Sequence, residues 1–138
     1  MPGRITPPFD EKSARKLVQN AEDAWNRRVP EEVPDDYSED TCWRYKDHFF
    51  QGREHIVPFL SERWPVQQDY RLKKEMWAFA GNRISVRFIS EWRHRDTGQW
   101  YRTHGNEHWQ YDDNGMMSVQ DISANDVAID KSERTLTD

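Results

Sequence analysis

The chain has 138 residues, of which 35% are hydrophobic and 33% charged, and its formal net charge is −5. This length suits one domain, and its 7 Trp, 5 Tyr and 6 Phe argue against disorder, because disordered chains contain few aromatic residues. Acidic and basic residues are interspersed without a basic block, which argues against nucleic acid binding. With the single cysteine Cys42, no internal disulfide can form, and a reducing compartment is consistent.

Targeting and metal-binding signals are both missing from the sequence. Residues 1–9 lack the apolar run of a signal peptide, and no stretch reaches the ~18 apolar residues of a membrane span. The 5 histidines form neither an HxH nor an HExxH pattern. We therefore expect a cytoplasmic protein with no membrane partner, no metal site and no cofactor.

The first half of the chain predicts two helices and one strand. Residues 1–10 are proline-rich and predict an N-terminal arm. Residues 11–28 repeat apolar side chains at steps of three and four, as an amphipathic helix does. Residues 41–45 are β-prone, and residues 53–64 predict a second helix. Pro58 lies either in the first turns of that helix or at a kink within it.

The second half has a hydrophobic period of two, which indicates β-strands. The strands are predicted at about 70–80, 83–93, 99–112 and 116–125. Asn114-Gly115 is a hairpin signal, because both residues tolerate positive φ. Helices followed by a meander of antiparallel strands predict an α+β fold. Residues 127–138 are a polar tail.

Glu107 is the strongest candidate for chemistry, because it is the one carboxylate on an otherwise apolar face of strand 99–112. Burial disfavours a charged carboxylate, so Glu107 could donate or shuttle a proton near neutral pH. Alternatively, an arginine or a tryptophan binds it for structural reasons. A bulge at Gly105 would reverse this register and turn His104 and Asn106 inward instead.

Strand 83–93 carries a second candidate pair. Its even positions form the apolar, buried face, which leaves Arg87 and Glu91 together on the other face. A cross-strand charge network accounts for these two residues better than a catalytic pair does.

Several short strings along residues 11–126 carry a resemblance to a known family. They are AEDAWN (21–26), YSEDTCWR (37–44), GREHIVPFL (52–60), YRLKKEMWAF (70–79), NRISVRF (82–88), EWR (91–93), GQWYR (98–102), GNEHW (105–109) and ND (125–126). With the order of the elements, they make the chain similar to the SnoaL-like branch of the nuclear transport factor 2 superfamily. The resemblance is closer to a subfamily known only as a domain of unknown function.

This resemblance implies a cone-shaped, curved antiparallel sheet that is packed on the N-terminal helices and has a pocket at its open end. The cone domain would span residues 11–126, with residues 1–10 as an arm and residues 127–138 as a tail. Homodimerisation through the outer face of the sheet is common among such proteins, so we expect a homodimer.

The catalytic residues of related ketosteroid isomerases carry over only in part. By spacing, their oxyanion-hole and base positions fall on Ala21, Glu107 and Tyr45, and only the acid at 107 is present. Tyr45 also replaces a small amide that the subfamily pattern leads us to expect. The resemblance therefore argues against isomerase chemistry of that kind, and it leaves Glu107 as an acid/base and Tyr45 as a hydrogen-bond donor.

Aromatic side chains are expected to line the pocket around Glu107. The expected lining residues are Trp25, Trp43, Tyr45, Phe88, Glu107 and Trp109. Glu75 and Trp77 are further candidates, because the inward face of strand 70–80 is ambiguous. Such a cage suits a small, flat or hydrophobic organic ligand. Alternatively, most of these tryptophans simply fill the cone.

The expected function is small-molecule binding, and two versions of it remain open. One is an acid/base enzyme of the isomerase, cyclase or hydrolase type. The other is a non-catalytic binding or dimeric assembly module.

Overall fold

The computed structural model describes residues 4–136 as two α-helices and a six-stranded sheet. The helices are α1 (Glu11–Arg27) and α2 (Ile56–Arg63). The strands are β1 (Tyr37–Tyr45), β2 (His48–Gln51), β3 (Gln67–Ala80), β4 (Arg83–His94), β5 (Trp100–Tyr111) and β6 (Met117–Ile129). Short 3₁₀ turns connect several of these elements. Within this part of the chain, no helix is long and apolar enough to cross a membrane.

The sheet is curved and unclosed, with the strand order β2-β1-β6-β5-β4-β3. The expected α+β cone is confirmed, and the meander β3 to β6 is antiparallel throughout. One pairing differs from the expectation, because β1 runs parallel to β6. A hairpin forces antiparallel pairing, whereas the long connection between β1 and β6 permits the parallel arrangement. Strand β2, which the sequence did not predict, pairs with β1 at the edge.

Helix α1 packs one face against the inner side of the sheet. Asp10 caps its first turn by accepting a hydrogen bond from the Ser13 backbone N–H at 2.8 Å. Arg28 ends the helix in the left-handed conformation, with φ 62°. The buried face of α1 includes Glu22 and Trp25, which therefore reach the interior of the cone.

Pro58 lies in the first turn of α2 and does not kink the helix. The helix begins at Ile56, so the missing N–H of Pro58 is one of the first few that have no intrahelical acceptor. The predicted segment 53–64 thus divides into a 3₁₀ turn, Arg53–His55, and a short α-helix.

Gly105 lies in a regular part of β5, so the alternative register with a bulge is wrong. It pairs with Phe88, and the pairing of β4 with β5 continues unbroken on both sides. A Cβ at Gly105 would lie 2.2 Å from Cε1 of Phe88. Glycine is needed here because the Phe88 ring lies directly against the backbone, and His104 and Asn106 remain exposed on the outer face.

The C-terminal segment lies on the outer face of the sheet and is held there by Glu91. This side chain is only 1% exposed and accepts hydrogen bonds from the backbone N–H groups of Thr135 and Leu136 and from Nε of Arg102. Burial alone would raise the pKa of Glu91, but the hydrogen bonds from Leu136, Arg102 and Thr135 lower it overall. Arg87 pairs with Glu75 of β3 at 2.9 Å, so both residues form cross-strand charge pairs, but in two separate networks and not in the single network expected.

Candidate functional site

Glu107 lies in the middle of β5 on the inner side of the sheet and is 1% exposed. Its Oε1 accepts a hydrogen bond from Nε1 of Trp109 at 2.9 Å. Its Oε2 is bound by the ammonium of Lys74, a residue of β3. Both carboxylate oxygens are therefore bound by donors from the chain itself.

Lys74 lies in an aromatic cage that the expected pocket residues build. Its Nζ is 5.1 Å from the ring centroid of Phe88, 5.6 Å from that of Trp109 and 5.7 Å from that of Trp25. Aromatic faces attract cations at such distances, and the attraction grows when water is excluded. The rings expected to surround a ligand therefore surround an ammonium of the chain.

Trp43 and Tyr45 of β1 extend this packed region towards α2. Trp43 is 2% exposed and stacks on Trp25, with ring centroids 6.3 Å apart. Tyr45 is 7% exposed and contacts Phe59 of α2, with centroids 5.7 Å apart. Six of the expected pocket residues thus lie buried on the inner side; whether they contact a ligand stays a prediction.

Glu75 and Trp77 do not line the interior, so their assignment to the pocket is wrong. Residues 70, 72 and 74 of β3 point inward, which turns Glu75 outward. The alternation continues to Trp77, which shares the outer face with Glu75 and is 66% exposed. A register shift between Met76 and Ala78 then turns Phe79 towards the core. Arg87 covers its ring at 4.9 Å.

A cavity of about 610 Å³ opens between α2 and the far ends of β4, β5 and β6. We call it the mouth cavity, and its walls include Phe59, Arg63, Trp92, Tyr101 and Asp126. By strand register, it lies towards the opposite end of β5 from Trp109, and Glu107 is not among its lining residues.

Arg63, in the last turn of α2, supplies a guanidinium group to this wall. Its guanidinium carbon lies 4.3 Å from the ring centroid of Tyr45 and 5.5 Å from that of Phe59. Its Nε is buried and has no hydrogen-bond partner within residues 4–136, and no carboxylate of that range forms an ion pair with it. Among residues 4–136, the contacts of this guanidinium are the rings of Tyr45 and Phe59.

Residues 7–137 match the family described as "Protein of unknown function (DUF1348)". The chain belongs to this family. No curated protein matches the chain significantly.

Solved structures show that the DUF1348 chain has the nuclear transport factor 2-like fold. The epoxide hydrolase/cyclase-like enzyme SalBIII, described in pyran ring formation in the polyether salinomycin, is 10% identical, with a TM-score of 0.72 over 84% of this chain and 93% of that chain. An NTF2-like protein of unknown function from Burkholderia pseudomallei is 17% identical, with a TM-score of 0.72 over 81% and 90%. A steroid delta-isomerase from Pseudomonas aeruginosa is 18% identical, with a TM-score of 0.61 over 86% and 82%. At such identities the likeness shows the fold alone.

Asp126 of β6 forms the polar wall of the mouth cavity in this DUF1348 chain. Its Oδ1 accepts a hydrogen bond from Oγ1 of Thr103 at 2.6 Å, and Thr103 accepts one from Nε1 of Trp92 at 2.9 Å. Nζ of Lys46 lies 3.1 Å from Oδ2 of Asp126. The Asp126 side chain remains 32% exposed, so a molecule in the cavity can reach it.

Sequence reasoning missed the charged residues of the mouth cavity. They come from separate elements: Lys46 from the β1–β2 turn, Arg63 from α2 and Asp126 from β6. One signal was present, since Arg63 follows Phe59 by four residues and therefore shares its helix face. Within the described part of the chain, no group of His, Cys, Asp or Glu side chains could hold a metal ion.

Proposed function

We propose that this DUF1348 protein binds a small organic molecule with an anionic group in the mouth cavity. The observation that carries the proposal is Arg63, a partly buried guanidinium that contacts rings and no carboxylate within residues 4–136. A guanidinium binds planar anions such as carboxylates through two parallel hydrogen bonds. A bound carboxylate would supply the counter-charge that residues 4–136 do not.

Three arginines of the sheet differ in this respect from Arg63, which lies on α2. Arg44 pairs with Asp121, Arg87 with Glu75, and Arg93 with Asp69. Such exposed pairs are common on protein surfaces and contribute little to stability. Because Arg63 has aromatic neighbours and lines an open cavity, its charge remains available to a ligand.

The walls of the mouth cavity favour a flat or hydrophobic body for this ligand. Trp92 and Tyr101 stack with ring centroids 4.8 Å apart, and Phe59 faces the same cavity from α2. A volume of about 610 Å³ lies in the usual range of ligand pockets, roughly 300–1,000 Å³. Structural relatives that include a cyclase-like enzyme and a steroid isomerase are consistent with an organic ligand.

The roles expected for Tyr45 and Glu107 change under this proposal. Tyr45 orients Arg63 through ring contact, in addition to its expected role as a hydrogen-bond donor. Glu107 is 1% exposed, is paired with Lys74 and does not line the mouth cavity, so a ligand bound there does not reach it. For that reason we place ligand binding in the mouth cavity and not beside Glu107.

A homodimer through the outer sheet face remains part of the proposal. Trp77, Ile89 and Val127 are 66%, 36% and 43% exposed, and apolar side chains of this kind favour association. Light scattering at micromolar concentration should give the mass of two chains, and a monomeric mass would contradict the dimer. The cytoplasmic location likewise stays a prediction.

Calorimetry with a panel of aromatic carboxylates, each matched by its uncharged amide, tests the binding proposal. We expect at least one carboxylate to bind more tightly than its amide, and Arg63→Gln to weaken that binding at least about tenfold, as the loss of a charged hydrogen bond predicts. Arg87→Gln on the outer face is the matched control and should leave the affinity unchanged. Equal binding of acid and amide, or unchanged affinity in Arg63→Gln, would refute the proposal.

A further inference from the structure

Arg28 follows the last residue of α1 and is not among the residues that line the mouth cavity. We propose that Arg28 is a positioning residue, which fixes one wall of the mouth cavity and thereby sets the place of the Arg63 guanidinium. This inference rests on ligand binding by Arg63. It goes further, because it assigns part of the affinity for the anionic group to a residue outside the cavity.

The guanidinium of Arg28 holds the 3₁₀ turn Trp64–Val66, which joins α2 to β3. Its Nη2 donates to the carbonyl oxygen of Trp64 at 2.8 Å and to that of Gln67 at 3.1 Å. Hydrogen bonds from a charged donor are stronger than those between neutral groups. One side chain at the end of α1 therefore anchors both the first residue of this turn and the residue that follows it.

Two aromatic rings keep the Arg28 guanidinium in place. Its central carbon lies 3.9 Å from the ring centroid of Tyr70 and 4.8 Å from that of Trp64. Burial lowers the pKa of Arg28 to about 10, and the side chain remains charged at neutral pH. A lysine would keep this charge, but it lacks the planar group that contacts both rings.

The contacts of the side chain explain why an arginine occupies position 28. Its backbone adopts the left-handed conformation with φ 62°, where glycine is the usual residue after a helix. A residue with a Cβ is strained in this conformation. The hydrogen bonds and ring contacts of Arg28 offset this strain. Glycine at this position would therefore relieve the backbone and remove only the anchor.

The anchored turn carries a wall of the mouth cavity. Arg63 directly precedes the turn, Val66 ends it and Gln67 follows it, and all three line the cavity. Helix α2 has only eight residues, and so short a helix depends on tertiary contacts for its order. Without the anchor, the Arg63 guanidinium would shift against the ring of Tyr45. Two parallel hydrogen bonds to a carboxylate require a fixed geometry, so such a shift weakens binding.

Arg28 and Arg63 differ in how their donors are used. Nη2 of Arg28 has two backbone acceptors, whereas Arg63 contacts rings and its Nε has no hydrogen-bond partner within residues 4–136. Nη1 of Arg28 also lacks a partner in that range, but it is buried in a residue that does not line the mouth cavity. The geometry thus favours anchoring by Arg28 and ligand binding by Arg63.

Calorimetry on Arg28→Lys, with the carboxylates and amides described above, tests this role through the ligand. We expect carboxylate affinity to fall about three- to tenfold, the usual effect of losing the order of one side chain, while amide affinity stays unchanged. A general loosening of the cavity would weaken acid and amide alike. In the Arg63→Gln background, Arg28→Lys should cause no further loss, because the residue that it positions is gone.

Two further variants separate positioning from stability. Arg27→Lys is the matched control, because Arg27 is the preceding arginine and pairs with Glu32 at the surface, so its affinities should equal those of wild type. Arg28→Gly removes the anchor and relieves the backbone, so we expect it to stay folded and still lose carboxylate affinity. Retention of full carboxylate affinity in a folded Arg28→Gly variant would overturn the inference.

Nitrogen-15 NMR of the Arg63 Nε–H group supplies a readout that needs no ligand. The resonance is assigned by its absence in Arg63→Gln, and the rings of Tyr45 and Phe59 should displace it from that of free arginine. Arg28→Lys and Arg28→Gly should move it towards free arginine, and Arg27→Lys should not. A variant that had only lost stability would keep the wild-type resonance below its melting temperature.

The outcomes separate this inference from the proposed function. A shifted Arg63 resonance together with a selective loss of carboxylate affinity supports both. Carboxylate binding that is lost in Arg63→Gln but unchanged in Arg28→Lys and Arg28→Gly overturns the role of Arg28 and leaves the proposed function intact. If wild type binds no carboxylate, the proposed function fails, and the Arg63 resonance alone decides whether Arg28 positions that side chain.

Discussion

Two regions on the inner side of the sheet treat charge in opposite ways. Around Glu107, the carboxylate is paired with Lys74 and enclosed by three aromatic rings. In the mouth cavity, Arg63 contacts aromatic rings but no carboxylate of residues 4–136, and the cavity beside it is open. Both regions carry aromatic and charged side chains on the same face of the sheet.

The comparison separates a charge that the protein itself neutralises from one that the described residues leave without an ion-pair partner. A buried ion is tolerated only when its partner and its hydrogen bonds are supplied by the protein, and removing one partner is costly. A cation such as Arg63, which contacts aromatic rings and faces an open cavity, has no ion-pair partner within residues 4–136. Such a cation can take its counter-ion from a bound molecule, as we propose for Arg63.

Removal of Lys74 should have the largest effect on stability. Lys74→Met leaves Glu107 buried with one remaining donor, Trp109, and should lower the free energy of unfolding by about 3–5 kcal/mol. Urea denaturation measures this loss. Arg87→Met, which breaks the half-exposed pair with Glu75, is the control and should cost about 0.5 kcal/mol or less. Equal losses in the two variants would mean that the interior pair is no different from a surface pair.

A methyl group at Gly105 should disturb the border between the two regions. Gly105 lies between Thr103 of the mouth cavity network and Glu107 of the interior, and its added Cβ would overlap Phe88. Gly105→Ala should therefore cost about 2–3 kcal/mol, as overpacking does. Adding Phe88→Leu should recover part of the loss in thermal denaturation. No recovery would show that the ring of Phe88 is not the obstacle.

Glu91 offers a test of charge pairing on the outer face. Glu91→Gln should lower the free energy of unfolding at pH 7 by about 1–2 kcal/mol, because charged hydrogen bonds to Arg102, Thr135 and Leu136 are weakened. Because the folded-state pKa lies below the ordinary value of 4.5, this contribution is present above pH 4.5 and is lost as pH falls through the folded pKa. The gap between wild type and variant should therefore close in acid. A constant gap would contradict the role of the carboxylate charge.

The smallest effect is expected at Trp77. Because this side chain is 66% exposed on the outer face, Trp77→Ser should change the free energy of unfolding by about 0.5 kcal/mol or less. Trp109→Ser, inside the cone, is the comparison and should be far more destabilising. A large loss of unfolding free energy in Trp77→Ser would indicate that Trp77 is buried, and it would contradict the assignment of this residue to the outer face.

Local pattern was sufficient for the meander and for the inward position of Glu107. A period of two assigns each residue of a strand to one face, and β4 and β5 follow it without interruption. The rule did not decide which face of β3 points inward, because Lys74 lies on the inner face and the apolar Trp77 on the outer one. A register shift between Met76 and Ala78 breaks the alternation only beyond Trp77. Strand β2 was missed because its four residues are mostly exposed and carry no hydrophobic period.

The partner of Glu107 and the mouth cavity could not be read from single strands. Lys74 lies on the inward face of β3, but only the pairing of β3, β4 and β5 brings its ammonium to a carboxylate two strands away. Arg63 and Asp126 meet at one cavity because α2 crosses the end of the sheet, which depends on tertiary packing. The sequence therefore predicted the position of single charged residues on a strand, but not which residues of other elements they contact.

Salt should weaken electrostatic interactions in the mouth cavity more than the interaction between Lys74 and Glu107. The side chains of Lys74 and Glu107 are only 4% and 2% exposed, so dissolved ions cannot come between them. The screening length shrinks from about 8 Å at 0.15 M to about 3 Å at 1 M salt, which weakens attraction between charges in the open mouth cavity. If the proposed anionic ligand binds Arg63, molar sodium chloride should therefore weaken its binding while the Lys74–Glu107 pair is unaffected, and low-salt purification is the better way to retain it.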